Sequence, residues 1–129
     1  MTANKWTSFF GLVYSKSGGI AGRVDRISYE SITRKLIFVD RSNRKSEKQL
    51  EVQDEDKLKH IISENKFFEI AGSYPSKGSM ADHYSYTLSV TMDGQIQEAN
   101  WADDSEGTPK GLLNIESAIG QMAPGAPTG

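Results

Sequence analysis

The chain has no cysteine among its 129 residues and only two histidines. Disulfide bonds, thiolate catalysis and cysteine-based zinc sites are therefore excluded. No apolar run approaches the roughly 20 residues that a membrane-spanning helix needs. Residues 1–10 are too polar and too short to hold the apolar stretch of a secretory signal. We therefore expect a soluble, cytoplasmic protein with no membrane partner.

An excess of charge of one sign is also missing. Fifteen basic and 17 acidic residues give a net charge of −2, which favours neither nucleic acid nor an anionic membrane as a partner. The chain shows no interleaving of aromatic and basic residues of the kind that binds single strands. We expect no nucleic-acid partner.

Residues that could support catalysis are few. A metal site on two histidines would need close helical spacing and a carboxylate, but His60 and His83 are far apart in the sequence. Asp103, Asp104 and Glu106 could do acid–base work or bind a cation, yet their spacing is not that of a calcium loop. Acids exposed to solvent before a helix explain them more simply. We expect no enzyme activity, metal or cofactor.

Two further patterns are incomplete as catalytic or nucleotide-binding motifs. Asp82 and His83 could act on a serine, but no G-x-S-x-G elbow is present. The glycine-rich stretch at 18–22 lacks the lysine of a P-loop and the spacing of a dinucleotide motif. It is either a simple turn between strands or a place where a partner approaches bare backbone. Both interpretations stay open at this point.

The clearest element is a hairpin in the second half of the chain. Apolar and hydroxyl side chains alternate strictly from Tyr84 to Met92, which predicts a strand with one buried face. Asp93-Gly94 is the dipeptide preferred at a type I′ turn. Residues 95–101 are predicted to form the returning strand.

The other elements follow from weaker patterns. Strands are predicted at 9–14, 24–30 and 36–39, with Leu50 and Val52 as a further short strand. The charged stretch 41–48 is interpreted as a solvated loop. The first helix is predicted to begin near Asp54 and end at Gly72, after Phe67, Phe68 and Ile70. A loop is predicted at 71–83, and a second helix is predicted after an N-cap at Thr108, with Pro109 at its first position.

These elements predict an α+β fold in a single domain over residues 9–123. A polar lead-in of residues 1–8 and a flexible tail of residues 124–129 flank it. We expect a mostly antiparallel sheet of four to five strands, in the order β-β-β-α-β-β-α, with both helices packed on one face. The other face would carry Ser85, Thr87, Ser89 and Thr91 and be largely wet. Such a face or its edge could meet a partner.

Several of these motifs, in this order, resemble those of emfourin-like proteins, which inhibit protealysin and related thermolysin-like metallopeptidases. The resemblance spans residues 11–123. It rests on Ser17-Gly18-Gly19-Ile20-Ala21-Gly22 after a strand, Phe67-Phe68 at a helix end, Asp82 leading into the Tyr84-Ser85-Tyr86-Thr87-Leu88 strand, and a closing helix led by proline. The chain differs from the family pattern in its longer charged stretch at 41–48 and its long loop at 71–82.

The resemblance implies an inhibitor whose partner is a thermolysin-like metallopeptidase, and we expect it to act as a monomer. The inhibitory loop would be Ser17, Gly18, Gly19, Ile20, Ala21 and Gly22, with secondary contacts from Asp82, His83, Tyr84 and Tyr86. Such enzymes favour a bulky apolar residue after the scissile bond, and Ile20 would fill that subsite. Ser17 or the Gly19 carbonyl would approach the catalytic zinc, which belongs to the enzyme. The alternative is a non-catalytic interaction domain with a non-protease partner.

Overall fold

The computed structural model describes residues 9–18, 23–40, 42–75, 84–103, 105 and 107–122. These residues form one seven-stranded sheet and three helices. The strands are β1 Phe10–Gly18, β2 Arg23–Glu30, β3 Lys35–Val39, β4 Lys45–Gln49, β5 Ser73–Tyr74, β6 Tyr84–Met92 and β7 Gln95–Ala102. The helices are α1 Val52–Glu64, α2 Phe67–Ile70 and α3 Lys110–Met122.

The strands lie in the order β4-β3-β2-β1-β6-β7-β5. All neighbouring pairs are antiparallel except β5 and β7, which are parallel. Strand β1 lies at the centre and pairs with β2 on one side and β6 on the other, in both cases as far as Gly18. The α+β class is confirmed, and the sheet is mixed and larger than expected.

One face of the sheet is covered by helices. Alternate side chains of the central strands point into a single core, as in β1, where Phe10, Leu12 and Tyr14 are buried while Val13 is exposed. The buried residues of α1 and α3 join the same core; they are Leu58, Ile62, Leu112, Ile115 and Ile119. The prediction that the helices pack on one face is therefore confirmed.

The opposite face, which we call the open face, carries no helix from the described part of the chain. Its side chains include Ser85, Thr87, Ser89 and Thr91 of β6, which alternate with the buried Leu88, Val90 and Met92. The hydroxyl-rich face predicted from the alternation is thus in place.

The β6–β7 hairpin forms as the sequence predicts. Met92 pairs with Gln95 across the turn. Asp93 and Gly94 both have positive φ, 54° and 79°, as a type I′ turn requires at its two central residues. The hairpin therefore needs residues there that tolerate the left-handed region.

The stretch predicted as a solvated loop at 41–48 is exposed over 42–48, but it is not a loop throughout, because β4 occupies Lys45–Gln49 at the edge of the sheet. All residues of β4 are exposed, so the strand has no apolar alternation to reveal it. Glu47 lies 3.1 Å from the Lys45 ammonium and 3.8 Å from that of Lys35 on β3. Charged side chains on an edge strand also discourage pairing with other chains.

The boundaries of the first helix differ from the prediction. Leu50 is buried ahead of the helix, and α1 already begins at Val52, so these two residues form no strand. The backbone N–H of the N-cap residue Glu51 donates to the Asp54 carboxylate at 3.1 Å. Asp54 therefore supports the helix from its third position rather than starting it.

The end of this helical region also differs. Helix α1 ends at Glu64, and Lys66 adopts a left-handed conformation with φ of 56° before the short α2. The break turns the chain so that Phe67 is fully buried, while Phe68 and Ile70 pack at the margin of the core. The predicted anchoring role of these residues is confirmed, although they lie on a separate helix.

The connections on either side of the β6–β7 hairpin were also predicted incompletely. Ser73 and Tyr74 form β5 within the segment expected to be a loop, because they pair with Asn100 and Trp101 of β7. Helix α3 begins at Lys110, one residue later than expected. The Thr108 hydroxyl does not cap the helix; it is buried without a hydrogen-bond partner in the described structure.

None of the helices in the described residues is long and apolar enough to span a bilayer.

Candidate functional site

Three strands meet at one end of the sheet, which we call the loop end. Here β1 ends and β2 begins, with Gly18 paired to Arg23. On the other side of β1, Gly18 pairs with Tyr84, the first residue of β6. Because β1 is central, the connection formed by residues 19–22 leaves from the middle of the sheet rather than from its edge.

The structure places the first part of the predicted inhibitory loop within a strand. Ser17 and Gly18 are the last residues of β1, not loop residues. Gly18 has a φ of 124°, a backbone conformation that favours glycine. Gly19, Ile20, Ala21 and Gly22 lie outside the described residues.

Two of the predicted secondary contact residues lie beside this strand end. Tyr84 faces Gly18, and Tyr86 faces Lys16, across the β1–β6 pair. Both tyrosines are half-buried. Asp82 and His83 fall outside the described residues. The fold thus brings together two sets of predicted residues that are far apart in the sequence.

A row of aromatic rings supports this end of the sheet on its covered face. Tyr86 stacks between Tyr14, at 6.5 Å between ring centroids, and Trp101, at 5.5 Å. The Lys16 ammonium lies 4.5 Å from the centre of the Tyr84 ring and 5.9 Å from that of Tyr86. These distances are within the range of cation–π attraction.

Sequence reasoning missed Lys16 and Trp101. The alternation of Phe10, Leu12 and Tyr14 continues to Lys16 and could have placed it on the covered face. Trp101 could have been found from the predicted hairpin, because a two-residue turn at Asp93-Gly94 places it directly opposite Tyr86.

The electrostatics of this region stabilise neutral tyrosines. The Tyr14 hydroxyl donates to the Glu116 carboxylate of α3. Burial, followed by this hydrogen bond, raises the pKa of Tyr14 well above its usual range. Burial also raises the pKa of Tyr86 to about 12, with smaller contributions from the charges of Glu116 and Asp103.

The described residues do not bring metal ligands together into a site. They contain no group of three histidine or acidic side chains placed to hold a metal ion. His60 pairs with Glu64 at 2.6 Å on the exposed side of α1, away from the loop end. The loop end instead presents two half-buried tyrosines beside the end of β1, and tyrosine is a residue type that is enriched in protein interfaces.

A second candidate surface is a shallow hollow of about 310 Å³ on the open face. Its floor includes Gly11, where an added Cβ would lie 2.9 Å from the Phe9 ring. Val13 and Ile37 contribute apolar walls, and Ser89 and Thr91 contribute hydroxyl groups. Val13 is 43 % exposed, so apolar surface is available there.

The described residues form an α+β domain in which one face of the sheet is covered by helices and the β1–β2 hairpin lies at the centre of the sheet. A scan against protein-family models finds no match to this chain. A search of curated proteins finds none either.

Proposed function

We propose that this protein inhibits thermolysin-like zinc metallopeptidases by blocking the active-site cleft with the segment from Ser17 to Gly22. The observation that carries the proposal is the register of the β1–β2 hairpin. Pairing continues to Gly18 and Arg23, so only residues 19–22 join two fully paired strands. The paired ends of β1 and β2 form a stem for this connection. A short connection between two fixed strand ends loses little conformational entropy when the protein binds a partner.

The position of the hairpin in the sheet adds to this support. Gly18 is paired on both sides, by Arg23 and by Tyr84. The stem therefore cannot bend away from the sheet without breaking two sets of strand contacts. A loop held in this way can enter a cleft as an added strand while Tyr84 and Tyr86 contact its rim.

The chemistry assigned to individual residues follows the family resemblance. Ile20 would fill the apolar subsite of the enzyme that normally binds the substrate residue following the scissile bond. Ser17 pairs with Val24 and Ser85 inside the sheet, so we favour the Gly19 carbonyl as the group that approaches the zinc. The zinc belongs to the enzyme, and the inhibitor itself needs no cofactor. A monomeric state and a cytoplasmic location are further parts of this proposal.

The test is a titration of the protein into a panel of thermolysin-like peptidases. We expect peptide hydrolysis to fall in proportion to the inhibitor added. Ile20→Asp should weaken inhibition by about 100-fold or more, because an apolar contact is lost and a charge is brought to an apolar subsite.

Ile32→Asp is the matched control, since Ile32 is 81 % exposed in the turn between β2 and β3. It should inhibit like the wild type, and both variants should show a native circular dichroism spectrum. A folded wild-type protein that slows none of the peptidases would contradict the proposal. So would an Ile20→Asp variant that unfolds, because Ile20 would then be a core residue.

A second candidate is an interaction domain with a non-protease partner, and the hollow on the open face favours it. Val13, Ile37 and the exposed Ile96 place apolar surface among hydroxyl groups there. A Val13→Lys variant separates the two candidates. It should abolish capture of a partner bound at the open face, whereas inhibition through the loop end should be unchanged.

A further inference from the structure

The two edges of the sheet differ in how much of their backbone is covered. Strand β4 forms one edge, and β7 forms much of the other, because β5 pairs only with Asn100 and Trp101 of β7. Strand β5 is parallel to β7, so it extends from Asn100 towards Ala102 and away from the start of β7. The segment Gln95–Glu98, which we call the free edge, has no strand on its outer side among the described residues. Its residues are all exposed.

The backbone of the free edge points outward at two residues. On the outer side of β7, the N–H of Asn100 donates to the carbonyl oxygen of Gly72 at 2.9 Å. Alternate residues of an antiparallel strand direct both of their backbone groups to the same side. The N–H and C=O groups of Ile96 and Glu98 therefore also point outward. No backbone hydrogen bond from the described residues reaches them there, so they are available to an added strand.

The free edge lacks the features that prevent strands from adding to a sheet. Such features include lysine side chains, proline and β-bulges. Strand β4 carries Lys45 and Lys48, whereas the free edge contains neither lysine nor proline. The pairing of β7 with β6 is one-to-one from Gln95 to Ala102, so no bulge interrupts it. The two edges are therefore not equivalent as places where a partner can add a strand.

Two side chains of the free edge determine which segment matches it. In the β6–β7 register Ile96 lies opposite Thr91 and Glu98 lies opposite Ser89, so both are on the open face. Ile96 is 57 % exposed, and Glu98 takes part in none of the ion pairs formed among the described residues. An added strand places one side chain beside each of them, two positions apart. The matching side chains are an apolar one beside Ile96 and a basic one beside Glu98.

A second copy of this chain does not supply that pattern through its own β7. Strand β7 contains no lysine or arginine, so pairing of two β7 strands brings no cation to Glu98. The matching strand therefore comes from a different protein. Antiparallel pairing is slightly more stable per residue than parallel pairing, and in that direction the basic residue of the partner precedes its apolar residue.

We infer that the free edge binds an extended segment of a partner protein in which a basic residue precedes an apolar residue by two positions. The segment joins the sheet as an antiparallel strand next to β7. This inference does not rest on the proposed inhibition. The free edge lies beside the turn at Asp93-Gly94, whereas the loop end lies at the opposite end of β6, beside Tyr84.

The experiment uses the isotope-labelled full-length protein and the peptide acetyl-Thr-Lys-Thr-Val-Thr-amide. Two-dimensional NMR spectra at increasing peptide concentration give the dissociation constant, and the amide signals that shift locate the bound peptide. The reversed peptide acetyl-Thr-Val-Thr-Lys-Thr-amide has the same composition and controls for direction. A third peptide, in which glutamate replaces lysine, controls for charge.

We expect the first peptide to bind with a dissociation constant of about 1 mM, because a short free peptide loses much conformational entropy when it is ordered. The amide signals of Ile96 and Glu98 should shift. The reversed peptide should bind about threefold more weakly, since it places neither side chain beside its match in an antiparallel strand. The glutamate peptide should bind about fivefold more weakly, because like charges then face each other.

Substitutions in the protein test the two side chains. Ile96→Lys should weaken binding by at least about tenfold, because lysine on an edge strand opposes pairing and repels the lysine of the peptide. Glu98→Gln should weaken binding about two- to fivefold through loss of the ion pair, and it decides the question if Ile96→Lys does not fold. Ile32→Lys, at an isoleucine that is 81 % exposed in a turn, and Glu47→Gln, on the β4 edge, are the matched controls. Both should bind like the wild type.

Three results would overturn the inference. The first is the absence of shifts at Ile96 and Glu98 with several millimolar peptide, or shifts confined to β4 or the loop end. The second is equal affinity for all three peptides, because the edge would then distinguish neither charge nor direction. The third is dimerisation of the wild type that Ile96→Lys abolishes, since a second copy would then be the occupant.

The inhibition assay keeps this inference separate from the proposed function. Ile96→Lys should inhibit peptidases like the wild type, because the free edge is remote from the loop end. A wild-type protein that binds the peptide but inhibits no peptidase would contradict only the proposed function. A wild-type protein that inhibits but does not bind the peptide would contradict only the strand-addition site.

Discussion

Two tyrosines on the covered face of the sheet each donate a hydrogen bond to a glutamate on a different helix. Tyr29 of β2 donates to Glu55 of α1, and Tyr14 of β1 donates to Glu116 of α3. Burial is the main cause that raises the pKa of both tyrosines well above the usual range, and the hydrogen bond is the second. These pairs attach both long helices to the sheet through a proton that the tyrosine must keep.

This attachment predicts a loss of stability at alkaline pH. Unfolded tyrosine loses its proton near pH 10, whereas Tyr14, Tyr29 and Tyr86 in the folded protein keep theirs to higher pH. Above about pH 10 the unfolded state therefore binds fewer protons than the folded state, and the free energy of unfolding falls as pH rises. The tyrosine contribution is complete below pH 10 and is lost between about pH 10 and pH 12 or above.

Urea unfolding and phenolate absorbance measure this effect. The urea concentration at the unfolding midpoint should fall as pH rises above 10. In a pH titration, part of the phenolate absorbance of the folded protein should appear at higher pH than the phenolate absorbance of the protein unfolded in urea. Tyr29→Phe should make the decrease of the urea midpoint with pH less steep, because one tyrosine with a raised pKa in the folded protein has been removed. Coincident absorbance titrations of the folded and unfolded protein would show that this explanation is wrong.

At the scale of elements, helix α3 contains two glycines in opposite surroundings. At Gly111 an added Cβ would lie 2.8 Å from Ile70 Cδ1 and 2.9 Å from the carbonyl oxygen of Asn65. At Gly120 nothing lies within 4 Å of the added Cβ. Gly111 thus allows close packing of α3 against the α1–α2 turn, while Gly120 has no such role.

The same substitution should therefore have opposite effects at these two positions. Gly111→Ala should destabilise the protein by about 1–2 kcal/mol, because the carbonyl at Asn65 cannot move aside as a flexible side chain can. Gly120→Ala should stabilise it by up to about 1 kcal/mol through helix propensity. Urea denaturation measures both values, and changes of the same sign would contradict the packing seen here.

At the scale of the whole molecule, one sheet and one core unite the described elements. Buried residues from five strands (β1, β2, β3, β6 and β7) and from all three helices belong to a single cluster. Residues separated widely in sequence pair directly, as Leu12 does with Val90. Within the described ranges, the buried residues of both halves of the chain belong to this one core.

We therefore expect the chain to unfold in a single cooperative transition. Near-ultraviolet circular dichroism reports on the packing of aromatic residues such as Trp101, and far-ultraviolet circular dichroism reports on the helices and strands. The two signals should give the same urea midpoint. Two separated transitions would show that the helices and the sheet are independent units.

Patterns that one segment carries by itself were predicted correctly. The β6–β7 hairpin was predicted because alternation and an Asp-Gly turn are local signals, and the burial of Phe67 followed from its apolar side chain. Strands β4 and β5 were missed because pairing with β3 and β7, rather than their own side chains, makes them strands. Tyr84 and Tyr86 were proposed as contact residues from the sequence, whereas the position of Lys16 against their rings was not predicted.

The sequence alone determined the α+β class, the two faces of β6 and the side of the sheet that the helices cover, because apolar periodicity decides which side chains leave water. Only the tertiary structure decided the strand order, and with it the central position of β1. That order depends on contacts between residues such as Gly18 and Tyr84, which no local pattern encodes. The aromatic row and its lysine exist because three strands lie side by side.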